Sequence, residues 1–195
     1  MTLSLQQRRR QQTAKDIQRA TLELAVKHGL AHVTTEAIAE AAGISTRTFF
    51  NYYNNKEAAA IGTPPEFSET DKAALRDGTA HIADDLKVFL TAHIRSLANS
   101  QDILRMVRQV IRESVNARGV LDRLLMERCQ DLADCLQDRV GDPANARALA
   151  DNAVRCTARA IDLWEMHENV TLTEALETVW VDQIAASRLL AVEPG

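Results

Sequence analysis

Apolar residues recur at three- and four-residue intervals through most of this chain, the spacing of one helical face rather than the alternation of a strand. Residues 13–28 place Ile17, Thr21, Leu24 and His28 on one stripe, and Gly29 stands where a helix ends on a left-handed residue. Thr34 suits the N-cap of a second, short helix with Glu36 in its first turn and Ile38, Ala41 and Ala42 facing inward. A turn follows, in which Gly43 bends the chain, Ile44 plugs the core and Ser45 caps a third helix. Asn55 can cap a fourth helix beginning at Lys56. The tandem Pro64 and Pro65 cannot lie inside a helix, so the stretch from Gly62 to Asp71 is expected to be a hinge between a small head and a larger body.

In the body the pattern predicts helices over about 79–99, 102–117, 120–140, 144–168 and 172–191. The first aligns Ile82, Leu86, Phe89, His93 and Leu97, and the second offers Ile103, Met106, Val107, Val110 and Ile111. The third offers Leu121, Leu124, Leu125, Leu132 and Leu136. Pro143 fits the first turn of the next helix, and Thr171 or Thr173 the cap of the last. The last two helices carry more than one apolar stripe. One stripe holds Leu149, Ala153, Cys156, Ala160 and Leu163, with Ala150, Val154 and Ile161 on a second. On the final helix Leu172, Leu176, Val179, Ala186 and Leu190 form one stripe, Val181, Ala185 and Leu189 another, with Trp180 and Ile184 between. A helix packed only on its own core needs one apolar face. Two faces predict a second partner, most simply the same pair of helices from another copy in a twofold homodimer.

Composition agrees with an all-α protein: only 7 Gly and 4 Pro in 195 residues, and 46% apolar residues. No apolar run approaches the roughly 20 residues of a membrane span, and the basic start lacks the apolar core of a secretory signal, so the expected location is cytoplasmic. Cys129, Cys135 and Cys156 form no CxxC pair and are expected as reduced, buried thiols. The net charge of −4 hides an asymmetry. Residues 1–56 hold eight Lys or Arg against four acids, whereas the rest holds 15 against 23. A positive head on a negative body suits contact with a polyanion through the head alone.

Two short helices around a Gly-Ile-Ser turn are the layout of a helix-turn-helix, whose second helix enters the major groove of DNA. Arg47 and Asn51 lie four apart on one face, and Arg can pair bidentately with guanine, Asn with adenine. Thr46 and Phe50 could meet a thymine methyl, with Thr48 on the same helix. Hydroxyls of Thr34, Thr35, Ser45 and Thr46 stand at helix starts within reach of phosphates, and Tyr52 at the helix end can donate to one. Lys56 sits at a helix N-terminus, an unfavourable place for a cation that a nearby phosphate would resolve. Phe49 and Tyr53 are expected in the core. Arg8, Arg9 and Arg10 read either as a flexible arm reaching a groove edge or as a solvated tail.

At these residues the chain resembles the TetR family of bacterial transcriptional regulators, whose pattern runs roughly T-[VT]-x-x-I-A-x-x-A-G-[VI]-S-x-x-T-[LF]-[YF]-x-[HY]-F-x-[NS]-K-E. Thr34 to Glu57 reads TTEAIAEAAGISTRTFFNYYNNKE. Phe50 stands where many members have a tyrosine whose hydroxyl meets a phosphate, and Tyr53 replaces the usual Phe. The resemblance implies a DNA-binding head (1–61) and a helical effector-binding and dimerisation body (62–195). It further implies a homodimer on a palindromic double-stranded DNA operator, usually a repressor, released by a small-molecule effector. By face, candidate effector contacts are Phe89, His93, Met106, Val110, Leu125 and Trp164, with His167 a further possibility; for the histidines, core or interface packing competes.

An enzyme is the alternative from another class. The chain has no GxSxG, phosphate loop, HExxH or dinucleotide fingerprint, and Gly29 separates His28 from His32, so neither catalysis, a metal nor a cofactor is expected. A helix-turn-helix protein that binds DNA without an inducer is the other alternative.

Overall fold

The computed structural model describes residues 4–190, and among these the chain is all-helical. The N-terminal helices are α1 (Leu5–His28), α2 (Thr35–Ala41), α3 (Thr46–Phe50) and α4 (Lys56–Ile61), with a 3-10 turn at Leu30–His32. They are followed by α5 (Glu69–Asp77), α6 (Ile82–Ala98), α7 (Gln101–Glu113), α8 (Val115–Val140), α9 (Pro143–Met166) and α10 (Leu172–Leu190). No described helix is long and apolar enough to cross a membrane.

The expected caps form. Thr34, Ser45 and Asn55 accept from the backbone N–H groups of Ala37, Thr48 and Ala58. Asp142 caps α9 with Pro143 in its first turn, and Thr171 and Glu174 cap α10 reciprocally. Gly43 takes φ +66 between α2 and α3, a conformation that a side chain would strain.

Several expectations need correction. α1 starts at Leu5 rather than near residue 13, because Ser4 and Gln7 form a capping box; Arg8, Arg9 and Arg10 are therefore helical and not a flexible arm. His28 is exposed, and α1 buries Leu22 and Ala25 as well as Ile17 and Thr21, so it has a second apolar side. In α2 it is Ala39 that is buried, and Ala41 is exposed. The helix break expected at residues 118–119 lies at Ser114 instead, where the hydroxyl accepts from Ala117 N and starts α8 with Gly119 inside it. The hinge stretch contains the start of an unforeseen helix, α5, capped by Ser68.

The chain divides into two units, and they do not follow the sequence order. The head unit runs to Pro64 and also takes in Gln101–Leu124; the body unit holds Pro65–Ser100 and the chain from Leu125 onward. The head has two apolar clusters. Ile17, Val33, Ile38, Ala39, Phe49 and Ala59 form the helix-turn-helix core. Leu22, Ala25, Leu30, Ala60 and Ile61 pack with Val107, Val110, Ile111 and Ala117 of α7 and α8. Arg19 of α1 also pairs with Asp102 of α7 at 2.6 Å.

In the body, Leu86, Phe89, Leu90 and Ile94 of α6 are buried together with residues of α9 and α10, and Leu132 and Leu136 of α8 are fully enclosed. Polar clasps fix α5 against α8. Lys72 pairs with Asp131 at 2.9 Å, and Cys135 Sγ donates to Lys72 O. Arg139, with a side chain only 12% exposed, donates to Leu75 O (2.7 Å) and Ala80 O (2.6 Å) and pairs with Asp85 (2.7 Å). Gly78 makes room for this clasp, since a Cβ there would collide with Asp85 Oδ2 and approach Ala74 O at 2.9 Å. Removing one partner of such a pair strands the other, at a cost of about 3–5 kcal/mol. Arg139→Ala is thus expected to lower the urea midpoint sharply at fixed protein concentration. Arg76→Ala, which breaks only an exposed pair with Asp77, should cost less than about 1 kcal/mol in the same measurement.

Candidate nucleic-acid interface

The helix-turn-helix core determines which side chains of α3 are left outside. Phe49 is fully buried and turns inward, meeting Phe50 edge-on at 5.3 Å and Tyr53 at 6.3 Å. Tyr53 is half-buried and donates its hydroxyl to Ala14 O at 3.2 Å, which ties the end of the motif to α1. Its burial pushes the phenol above its ordinary range, partly offset by Thr63. With Phe49 and Tyr53 taken by the core, Arg47, Phe50 and Asn51 are exposed on the other side, and Thr46 and Thr48 are half-buried. Phe50 is 51% exposed, so it stands outside the core that holds Phe49. Asn51 keeps helical backbone angles as the C-cap, so its four-residue relation to Arg47 persists.

The hydroxyls at the helix starts have structural work already. Thr34 and Ser45 Oγ accept the capping N–H groups, and Ser45 and Thr48 hydroxyls lie 2.8 Å apart. A capping oxygen still carries an O–H that can be donated outward. Thr35 lies 3.3 Å from the Glu36 carboxylate. Lys56 finds its partners within the head: Nζ donates to Ala31 O and Val33 O, both at 3.0 Å. Those carbonyls account for a cation in the first turn of α4 without any outside anion, and they leave one N–H of the ammonium over.

The helical extension of α1 adds what the motif alone lacked. Arg10 Nη2 donates to Asn51 O at 3.4 Å, and its guanidinium lies 5.1 Å from the centre of the half-buried Tyr52 ring. The first turns of α1, exposed from Leu5 to Gln12 and carrying Arg8, Arg9 and Arg10, are therefore placed beside the end of α3. The signal that announces this is Ser4 followed three residues later by Gln7.

The candidate effector residues do not come together as one set. Phe89 and His93 line a body cavity of about 60 Å³ with Phe67 over them. Met106 and Val110 belong to the head's second cluster, Trp164 is buried, and Leu125 is exposed. His167 is exposed rather than on the core stripe. A second concavity of about 440 Å³ opens in the head, lined by Leu30, His32, Lys56, Glu113 and Ser114 among others. No group of three or more His, Cys, Asp or Glu that could hold a metal occurs among the described residues.

Of the expected partner face, Ala150 is fully enclosed within the single chain, because α9 turns it into its own core. Val154, Ile161 and Ile184 are half-buried, and Val181, Ala185 and Leu189 are exposed, Val181 at 61% and Leu189 at 88%. Ala186 and Leu190, expected on the core stripe, are exposed too, so the last turns of α10 carry apolar side chains that nothing among the described residues covers.

Similarity to known proteins follows the same division. Residues 17–58 match the family described as bacterial regulatory proteins, tetR family. The HTH-type transcriptional regulator TcmR of Streptomyces glaucescens is 38% identical over 71 residues, 36% of this chain, and that match spans about a third (31%) of TcmR. A protein described as the mycofactocin biosynthesis transcriptional regulator MftR of Mycobacterium tuberculosis is 29% identical over 179 residues, covering 87% of this chain and 88% of MftR. Among solved structures, a TetR-family regulator from Syntrophomonas wolfei superposes with a TM-score of 0.69 at 14% identity, covering 94% of this chain and 99% of the other. Thermus thermophilus FadR, a TetR-family repressor in complex with lauroyl-CoA, gives 0.54 at 20% identity, covering 93% and 97%. The head motif, a relative aligned along nearly the full length and the shared all-helical fold agree: residues 17–58 carry the motif of the tetR family of bacterial regulatory proteins, and the chain as a whole is similar to TetR-family transcriptional regulators, which are DNA-binding proteins and not enzymes.

Proposed function

We propose that this regulator binds a palindromic double-stranded DNA operator as a homodimer, represses transcription there, and is released by a small-molecule effector taken up by the body. The observation that carries the DNA reading is the exposed Arg47–Phe50–Asn51 face of α3 with the Arg8–Arg10 turns of α1 held beside it by Arg10. In this reading Arg47 and Asn51 read base edges, and Phe50 with Thr46 meets a thymine methyl. Tyr52 and the hydroxyls of Thr34, Thr35, Ser45 and Thr48 hold phosphates, and Lys56 adds its remaining N–H. The arginines of α1 supply the sequence-independent, salt-dependent share of affinity.

Dimerisation is supported by the uncovered apolar end of α10, together with Val154 and Ile161 of α9. Two half-sites about one helical turn apart need two heads at a fixed spacing, which a twofold interface provides. The effector reading draws on the FadR structure with its bound lauroyl-CoA, a repressor of the same fold. One observation favours the inducer-free alternative: the cavity at Phe67 holds about 60 Å³, far below the roughly 300–1,000 Å³ of a small-molecule site.

Arg47→Ala should cost roughly 1–3 kcal/mol on the operator and much less on scrambled DNA, read by fluorescence anisotropy with the chain's own upstream region as the first target. Equal losses on both sequences would remove Arg47 from base reading. Arg9→Ala should weaken both sequences alike and reduce the slope of log K against log salt by about one; an unchanged slope places Arg9 away from the backbone. Val181→Glu, putting a charge on the outer face of α10, should convert dimer to monomer in sedimentation runs and weaken operator binding in step. A persistent dimer would move the interface elsewhere.

A further inference from the structure

The segment between α4 and α5 is bound to the body by two adjacent residues. Tandem prolines stiffen residues 62–68, and within them Phe67 is buried while Glu66 and Ser68 on either side are exposed. The Phe67 ring lies 4.9 Å from Phe89 and 4.8 Å from His93, both on α6. Glu66 Oε1 accepts from Arg128 Nη2 of α8 at 3.2 Å. The small cavity remains beside the ring, with Ser68, Asp71 and Ser96 on its wall.

Three features set this slot apart from ordinary core packing. Phe67 enters from an irregular segment, so it can withdraw by changing a few backbone dihedrals without unwinding a helix. The two members of the ion pair are unequal: the Arg128 side chain is only 22% exposed, whereas that of Glu66 is 72% exposed and easily replaced. His93 offers hydrogen bonds rather than charge, because burial, helped by Arg128, pushes its pKa down to about 4. What the slot holds is an aromatic ring one residue away from a carboxylate.

We infer that the slot formed by Phe89, His93 and Arg128 is a binding site for an amphipathic carboxylate, and that Glu66–Phe67 occupies it as an internal stand-in. The ligand would have an aromatic or short apolar body and a single carboxylate. Its ring replaces the phenyl group of Phe67 between Phe89 and His93, which conserves the packed volume, so the closed cavity need not be large beforehand. Its carboxylate replaces that of Glu66 on Arg128, and Asp71 on the cavity wall repels the anion from the opposite orientation. Exchange releases the stiff segment that directly follows Ile61, the end of α4 in the head unit. As an effector site the slot rests on the reading of this chain as an effector-released repressor; occupancy itself requires no DNA.

The test titrates the full chain calorimetrically with 3-phenylpropanoate, using 3-phenylpropan-1-ol as the neutral control. Affinity for the carboxylate should rise severalfold in Glu66→Gln and at least tenfold in Phe67→Ala relative to the unaltered chain. The alcohol should gain much less than the acid, and adding Arg128→Gln to Phe67→Ala should abolish most of the gain. Glu66→Gln changes an exposed residue and leaves the core intact, so it decides the matter even if Phe67→Ala loses its cooperative melt. No gain in Glu66→Gln, or a gain that survives Arg128→Gln, overturns the inference. Binding in the slot that leaves the operator complex intact supports the site and counts against effector release. Release by another metabolite, with no 3-phenylpropanoate binding in any variant, overturns the site and leaves the repressor reading standing.

Discussion

Burial of α1 on two sides is the constraint on which the head depends. One side, through Ile17, closes the core that holds α2 and α3; the other, through Leu22 and Ala25, packs with Ile61 of α4 and Val107, Val110 and Ile111 of α7. Among the buried residues of α1 the polar one, Thr21, satisfies its hydroxyl within the helix by donating to Ile17 O at 2.7 Å. Small residues, Ala25, Ala59 and Ala60, keep the neighbours close, so a displacement of α7 has no slack to disappear into. The same helix also carries the arginines beside α3. Position of the reading helix, its basic flank and its link to α7 therefore all follow from how one helix is packed.

Charge is used differently in the two units. On the outer side of the head it is left exposed, where arginines and polar caps surround a phenylalanine on α3. In the body it is drawn inward to hold helices that apolar contact alone would not fix. α5 buries only Leu75, too little for a nine-residue helix to stand on, and is held through Lys72–Asp131 and the carbonyls that Arg139 bridges. Lys87 and Glu177, at 2.6 Å, do similar work between α6 and α10. The buried cysteines fit this interior: burial raises the thiol pKa values of all three, that of Cys129 to about 11, which keeps them protonated and unreactive.

Two parts of the body are left energetically incomplete. The end of α10 exposes valine and leucine where a partner could remove them from water. The segment carrying Glu66 and Phe67 fills an aromatic slot with a residue that belongs to no helix, beside a cation only lightly compensated. A well-packed interior without such places would have no low-cost way to respond to anything, since packed cores switch between discrete arrangements rather than deform gradually.

By itself, the sequence determined most of the elements, α5 excepted, and the family that the head motif resembles. Helical spacing, caps at Thr34, Ser45 and Asn55, Pro143 in the first turn of α9, and the glycine at Gly43 are short-range signals, each decided by residues within a turn of one another. The same locality made Phe49 a core residue and Arg47 an outer one. Ser4 and Gln7 were equally local, but their capping box lies ahead of the apolar pattern that marks a helix, and so the basic turns looked like a tail. Tertiary structure alone decided the rest. Periodicity shows that a helix has an apolar face but not which neighbour covers it, so α7 could join the head and Met106 and Val110 leave the set of effector candidates. It likewise could not tell that Ala150 is enclosed by its own chain, that Lys56 is held by two carbonyls, or that Phe67 fills the slot at His93. Those are contacts between residues far apart in the chain, and only the closed fold brings them within reach.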